Sequence, residues 1–301
     1  MPVEVRELII MSGDVPLAAR MFSPPAGTGT APRVVVVTGS WLTVKEQMPD
    51  LYAQRLAERG YTALTFDFAG FGASGGALRQ TEIPLRKIAD LTAVTRFAHS
   101  IHGGSDGVGL VSICASAQYA VHALATGNLP VASFASVAGW FHDPIAIATF
   151  YGGAEGVADR LDRATRATRT YLETGQTPTV PAYAEGDDRA GMFIEMDYYA
   201  NPQRGAVPTW VNEMTEITWS HWLTFDGLAA AYAIDTPSLF VHSDDAVFPD
   251  NIKTVASRLN GPSRLEWTDG AQIDFYDQPA QVDFAVQAID DHVATTIGAR
   301  R

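Results

Sequence analysis

Cys114 stands in Leu110-Val111-Ser112-Ile113-Cys114-Ala115-Ser116-Ala117-Gln118-Tyr119, where an apolar run that reads as a strand passes directly into a small-residue run that reads as a helix. A thiol at that junction occupies a tight turn, and the residues two places to either side must be small so that strand and helix can approach. Ser112 and Ser116 take the places where glycine is usual; serine fits but costs more in a strained turn. The turn sets the sulfur at a helix N-terminus. There the partial positive charge favours a thiolate, and the backbone N–H of Ala115 can point at a developing oxyanion. This is the layout of a nucleophile elbow, whose chemistry is covalent attack on an acyl carbon. Cys114 is the one cysteine of the chain, which excludes an intrachain disulfide and a cysteine-cluster metal site. The bland alternative is a buried thiol acting as a small hydrophobe, which has no need of a strand–turn–helix setting.

An elbow needs a sheet beneath it. Residues 5–10 and 17–22 flank Ser12-Gly13-Asp14 and predict an opening hairpin. Residues 33–38 contain four consecutive valines, as expected of a strand covered on both faces. A helix over 48–59 ends at Gly60, and a strand over 62–66 leads into a glycine-rich loop at 70–76. A helix at 83–99, a strand at 108–113, a helix at 115–125 and a strand at 131–137 follow. Strands at 238–242 and 264–267 and a helix at 279–297 complete the pattern. Strand and helix in alternation imply a mostly parallel α/β sheet flanked by helices. The alternation lapses after Val137 and resumes at Thr236-Pro237, and residues between hold four of the six tryptophans. They predict a helical cap at 140–233 inserted into a core formed by 1–139 and 234–301. Most cap aromatics are expected to fill a helical interior; others line an apolar pocket, with Trp140, Tyr199, His221 and Trp222 as candidates.

Composition bounds the partners. The chain has 301 residues, 47% hydrophobic and 18% charged, enough apolar side chain for a large core. Asp and Glu outnumber Lys and Arg 34 to 21, for a net charge of −13. Phosphate backbones and anionic lipid should be repelled, so nucleic acid and membrane are poor partners and a small-molecule substrate is expected. The opening residues lack a basic stretch followed by an apolar one, and no apolar run approaches the ~20 residues of a membrane span, which points to a cytoplasmic enzyme. Glycines 70, 72, 75 and 76 lack the lysine of a phosphate loop and the spacing of a dinucleotide fingerprint. The seven histidines are scattered without metal-ligand spacing, so neither a metal nor another cofactor is expected. Base rates favour a homodimer.

Several stretches occur together in order: Thr43-Val44-Lys45-Glu46-Gln47, then Tyr52-Ala53-Gln54-Arg55-Leu56-Ala57-Glu58-Arg59-Gly60-Tyr61, then Asp67 through Gly76 in the form Asp-x-x-Gly-x-Gly-x-Ser-x-Gly. The Ile113-Cys114-Ala115-Ser116-Ala117-x-Tyr119 elbow and the terminal Gly270-Ala271-Gln272-Ile273-Asp274-Phe275-Tyr276-Asp277 complete the set. On these residues the chain resembles the α/β-hydrolase superfamily, specifically its cysteine-nucleophile, dienelactone-hydrolase-like branch. The resemblance implies acyl chemistry on an ester, lactone or thioester. A similar fungal subgroup acts as polyketide transferases of secondary metabolism, moving a polyketide acyl chain onto an alcohol. It further implies Cys114 as nucleophile and Asp245 as the acid, in Asp245-Ala246-Val247-Phe248-Pro249, with Asp244 one place away. A second oxyanion donor is implied at the backbone N–H of Ser40 or Trp41.

The position for the base holds Gln272, whose amide cannot accept a proton at neutral pH. Three explanations stand open. Another histidine supplies the base, His142 or His221. Alternatively, an elbow-activated thiolate needs no base against a thioester, and the missing base slows water and favours transfer to a bound acceptor. Finally, the fold has lost nucleophilic catalysis and serves ligand binding, or a cyclase-, isomerase- or lyase-type reaction on a secondary metabolite in the cap pocket.

Overall fold

The computed structural model describes residues 2–25, 33–102, 107–126 and 128–297. The strands are β1 (Glu4–Ser12), β2 (Val15–Ser23), β3 (Val34–Thr38), β4 (Thr62–Phe66), β5 (Val108–Ile113), β6 (Val131–Val137), β7 (Thr179–Val180), β8 (Met214–Thr215), β9 (Ser238–His242) and β10 (Ser263–Trp267). The helices are α1 (Met48–Glu58), α2 (Pro84–His102), α3 (Ser116–Ala125), α4 (Pro144–Phe150), α5 (Gly153–Thr174), α6 (Asp197–Ala200), α7 (Thr218–Trp222), α8 (Pro249–Arg258), α9 (Asp274–Asp277) and α10 (Pro279–Thr296).

Eight strands form one sheet in the order β1-β2-β4-β3-β5-β6-β9-β10. The β2 strand runs antiparallel to both neighbours, and every pairing from β4 to β10 is parallel. Every residue of β3, β4, β5 and β9 is buried, the mark of a sheet covered on both faces. The α1 helix packs with α10 and α2 with α3 over this sheet.

The topology decides where a ligand can sit. From β3 the chain moves to β4 on one side and returns to β5 on the other, so the loops leaving β3 and β5 diverge above their carboxyl ends. Such a switch point leaves a crevice in an open α/β sheet. Ser40 and Trp41 follow β3, Cys114 follows β5, Asp245 follows β9 and Gln272 follows β10, all at that end.

Both hairpin strands are longer than the local pattern predicts, because their register runs unbroken from Glu4 opposite Ser23 to Ser12 opposite Val15. The α8 helix was hidden from pattern reading by its shortness. Pro249 opens it, and Ile252, Val255 and Ala256 give it one buried stripe. Between β6 and β9 lie α4 to α7, with long irregular stretches and an antiparallel ribbon of β7 and β8. Only α5 is long there; left-handed glycines bound it, and the Gly175 N–H donates to the Tyr171 carbonyl. Among the described residues no helix is long and apolar enough to cross a membrane.

Candidate functional site

Cys114 adopts φ 55°, left-handed backbone that L-residues rarely take. The surroundings hold it there. Its N–H donates to the Val137 carbonyl at 3.0 Å, and its carbonyl accepts from the N–H groups of Ala117 and Trp140, each at 3.0 Å. The two serines in place of glycine are put to use: Thr38 Oγ1 lies 2.9 Å from Ser112 Oγ and 2.8 Å from Ser116 Oγ. These three hydroxyls stitch β3 to both sides of the turn, so the extra bulk of serine also supplies hydrogen bonds.

Above Cys114 lies a cavity of about 210 Å³. That exceeds the roughly 150 Å³ of an engineered apolar cavity that takes up benzene. Trp41, Trp140, Phe150, Tyr151, Met192 and Trp222 are among its walls. Ring centroids of Trp41 and Trp222 are 4.8 Å apart, those of Trp140 and Trp222 5.8 Å, and those of Trp140 and Phe150 5.6 Å. Asp245 and Glu195 are exposed and line the cavity, and no Lys, Arg or His does so among the described residues.

Polar groups gather at the sulfur. Burial pushes the Cys114 thiol up, and hydrogen bonding from Ser40, Tyr276, the Ala115 N–H and Gln272 offsets that only in part. Ser40 Oγ lies 3.3 Å from the Tyr276 hydroxyl. The Gln272 amide nitrogen donates to the Ala138 carbonyl at 2.7 Å and to the Tyr276 oxygen at 3.3 Å, while its oxygen accepts the Val247 N–H at 3.2 Å. Burial holds the Tyr276 phenol well above its ordinary range, so it remains protonated. Neither the Ser40 nor the Trp41 backbone N–H has an acceptor among the described residues, although both residues are buried. Buried N–H groups without partners are rare, and these two belong to residues that line the cavity from the loop after β3.

The residues suggested by sequence do not all converge. Trp41, Trp140, Tyr199 and Trp222 line the cavity with Ser40, Cys114 and Gln272. Asp245 lines it as well, yet its side chain bonds to nothing among the described residues, and Gln272 is held by backbone groups instead. Asp244 accepts from Trp267 Nε1 at 3.0 Å and does not take its place.

His142 is corrected as a base candidate. It lies off the cavity, wholly buried, with Nδ1 accepting from Trp140 Nε1 at 2.8 Å and Nε2 donating to the Trp222 carbonyl at 3.0 Å. Burial lowers its pKa from the usual 6.5 to about 4, so it is neutral and fully engaged. His221, proposed for the pocket wall, also lies off the cavity, with its pKa lowered by burial and by the Arg86 charge. Because His142 titrates lower when folded, the unfolded chain binds the extra proton first. Its contribution is fully present above pH 6.5 and is lost as pH falls toward 4, an effect of about 3 kcal/mol. His142→Gln should therefore flatten the fall in denaturant midpoint between pH 7 and 4; an unchanged slope would contradict this assignment.

The loop after β3 is bolted down from two directions. Glu82, wholly buried, accepts the Leu42 N–H at 3.2 Å, pairs with Lys87 Nζ at 2.8 Å and accepts the Tyr119 hydroxyl at 2.7 Å. From the opposite side, Trp210 Nε1 donates to the Leu42 carbonyl at 2.8 Å. Tyr119 belongs to α3, so one carboxylate ties the Ser40–Trp41 loop to the helix that follows Cys114. Lys45 is a buried ion-pair member, 2.7 Å from Glu46 and 2.9 Å from Asp67.

Sheet order, crevice and elbow together define an α/β-hydrolase fold. No family model matches the sequence. The chain is 28% identical over 288 residues to the Pseudomonas aeruginosa protein PA2218, covering 90% of this chain and 75% of that one. The PA2218 crystal structure superposes with a TM-score of 0.82 at 24% identity, over 96% of this chain and 94% of that one. DcsB, solved with its substrate analogue, gives 0.80 at 16% identity over 98% and 99% of the two chains. The α/β hydrolase GrgF from Penicillium sp. sh18 gives 0.76 at 18% identity over 98% and 100%.

Proposed function

We propose that this protein is an acyl-transfer enzyme of the cysteine-nucleophile, dienelactone-hydrolase-like kind, forming a thioester on Cys114. Residues 140–233 would act as the cap over an apolar small-molecule substrate. The observation that supports the reading is the left-handed Cys114 beneath the aromatic cavity, with the Ala115 N–H at the sulfur and the Ser40 and Trp41 N–H groups unpaired among the described residues, which makes the three candidates for oxyanion donors. The sulfur attacks the acyl carbon, the bond to the leaving oxygen or sulfur breaks, and those N–H groups carry the charge passing through the carbonyl oxygen. Among the described residues no histidine lines the cavity to activate water, which favours an ester or thioester with a good leaving group as donor and a bound acceptor over hydrolysis. DcsB, solved with its substrate analogue, and the α/β hydrolase GrgF share this fold.

Intact-protein mass after brief mixing with acyl thioesters and aryl esters tests the reading. An acyl adduct on the wild type is expected. An adduct that decays in water identifies a hydrolase, and one that persists until an alcohol or amine is added identifies a transferase. Gln272 at the base position, together with the raised thiol pKa, favours a second reading in which the cavity binds a ligand or guides a rearrangement without covalent chemistry. Ligand binding with no adduct from any donor would establish it.

A further inference from the structure

Cys114 has an acid problem as well as a base problem. A buried thiol that attacks an ester must lose its proton, and the departing alkoxide or thiolate must gain one. In a water-poor aromatic cavity, separated charges are costly at either stage. Among the described residues no histidine lines the cavity, and its two carboxylates are exposed. Ser40, Gln272 and Tyr276 line the cavity together with Cys114 and are the side chains that can hydrogen-bond its thiol. The amide of Gln272 is too weak a base to take a proton, and its oxygen already accepts the Val247 N–H. Ser40 lies beside Tyr276 and adds a second hydroxyl. Tyr276 is different in kind, because its oxygen accepts a hydrogen bond from the fixed Gln272 amide, and when Ser40 donates in their 3.3 Å contact its own O–H is left to point at the sulfur or at a ligand.

From this arrangement, and resting on the covalent reading above, we infer that Tyr276 is a catalytic proton relay for Cys114, with Gln272 as the positioning residue that sets its polarity. As the sulfur–carbon bond forms, the Sγ–H proton passes to the Tyr276 oxygen. The phenol proton passes in the same step to the departing oxygen or sulfur. The donor leaves as a neutral alcohol or thiol, the phenol is restored, and no net charge is created in the cavity. A phenol too weak to ionise suits this task, because it needs to exchange protons rather than hold a charge. Gln272 is then a substitute for histidine suited to a neutral relay: it keeps one lone pair of the phenol oxygen occupied and its hydrogen aimed inward.

The test is a series of donors sharing one acyl group, with leaving groups from aryl thiol to alkyl alcohol, followed by adduct formation in wild type and Tyr276→Phe. The phenyl ring keeps the packing, and a thermal melt checks the fold. For alkyl esters the variant should acylate roughly 30-fold more slowly, and for aryl thioesters, which lose only the help given to the thiol proton, by a clearly smaller factor. Wild-type acylation should be level between pH 5 and 8, whereas the variant, depending on free thiolate, should gain about tenfold per pH unit. A loss equal across all leaving groups with an unchanged pH profile would show a packing role and overturn the relay. So would a variant as fast as wild type on alkyl esters. Absence of any adduct on the wild type would instead remove the covalent reading, and the relay with it.

Discussion

Cys114→Ala should abolish adduct formation and lower turnover of a reactive thioester on the order of 10⁴-fold. Removing a covalent nucleophile typically costs that much, leaving only what binding and the oxyanion donors supply. The variant is an unusually clean one. Cys114 is held left-handed by hydrogen bonds of its own backbone, so alanine keeps those bonds, and the Thr38–Ser112–Ser116 hydroxyls still secure the turn. Loss of the sulfur therefore removes chemistry and leaves the cavity in shape. Binding of an apolar competitive ligand should be retained within about threefold, which separates a lost nucleophile from a lost fold. Turnover unchanged in Cys114→Ala would end the covalent reading outright.

Gln272→His should act in the opposite direction. If the slow step in water is attack on the acyl-enzyme for want of a base, an imidazole at 272 supplies one, and hydrolysis should rise on the order of 10²- to 10³-fold. The new rate should fall off below about pH 6.5 as the imidazole protonates, an inflection the wild type lacks. Asp245 is unbonded and lines the same cavity, so it is available to orient the new ring. Combining Gln272→His with Asp245→Asn should forfeit part of the gain. No gain in hydrolysis from Gln272→His would mean that water is excluded from the cavity by shape, and that the missing base is not what limits the enzyme. Release of the acyl group as the free acid, measured against time, decides between these.

The parts of the site that were legible in sequence are those whose geometry is local. A strand that must turn into a helix within one residue leaves a signature in neighbouring residue sizes, so the strand–turn–helix junction at Cys114 could be read. The loop after four valines is likewise placed by the strand before it, so the position of Ser40 and Trp41 at the carboxyl end of the sheet could be read. What escaped depends on side chains from distant elements meeting. The role of Tyr276 follows from Ser40, 236 residues away, and from the Gln272 amide being pinned by the Ala138 carbonyl. A sequence shows that Asp245 lies in a loop after β9 but not which way its carboxylate turns. His142 looked free to act because nothing in its surroundings along the chain reveals that Trp140 and the Trp222 carbonyl take both its nitrogens. The α8 helix was missed for a different reason, its ten residues being too few for periodicity to stand out.

The two carboxylates that line the cavity have a bearing on what happens after the reaction. A carboxylic acid released beside Cys114 is neutral while it is surrounded by indole rings. On reaching water it ionises, and Asp245 and Glu195, on a chain already carrying −13, oppose its return. Product inhibition by the free acid should accordingly be feeble at pH 7, strengthen as the pH falls toward 4, and weaken less steeply in the double variant Asp245→Asn, Glu195→Gln. A neutral ester formed by transfer meets no such one-way gate. It partitions between cavity and solvent by its apolar surface alone, so the same enzyme would clear acids quickly and hold on to esters.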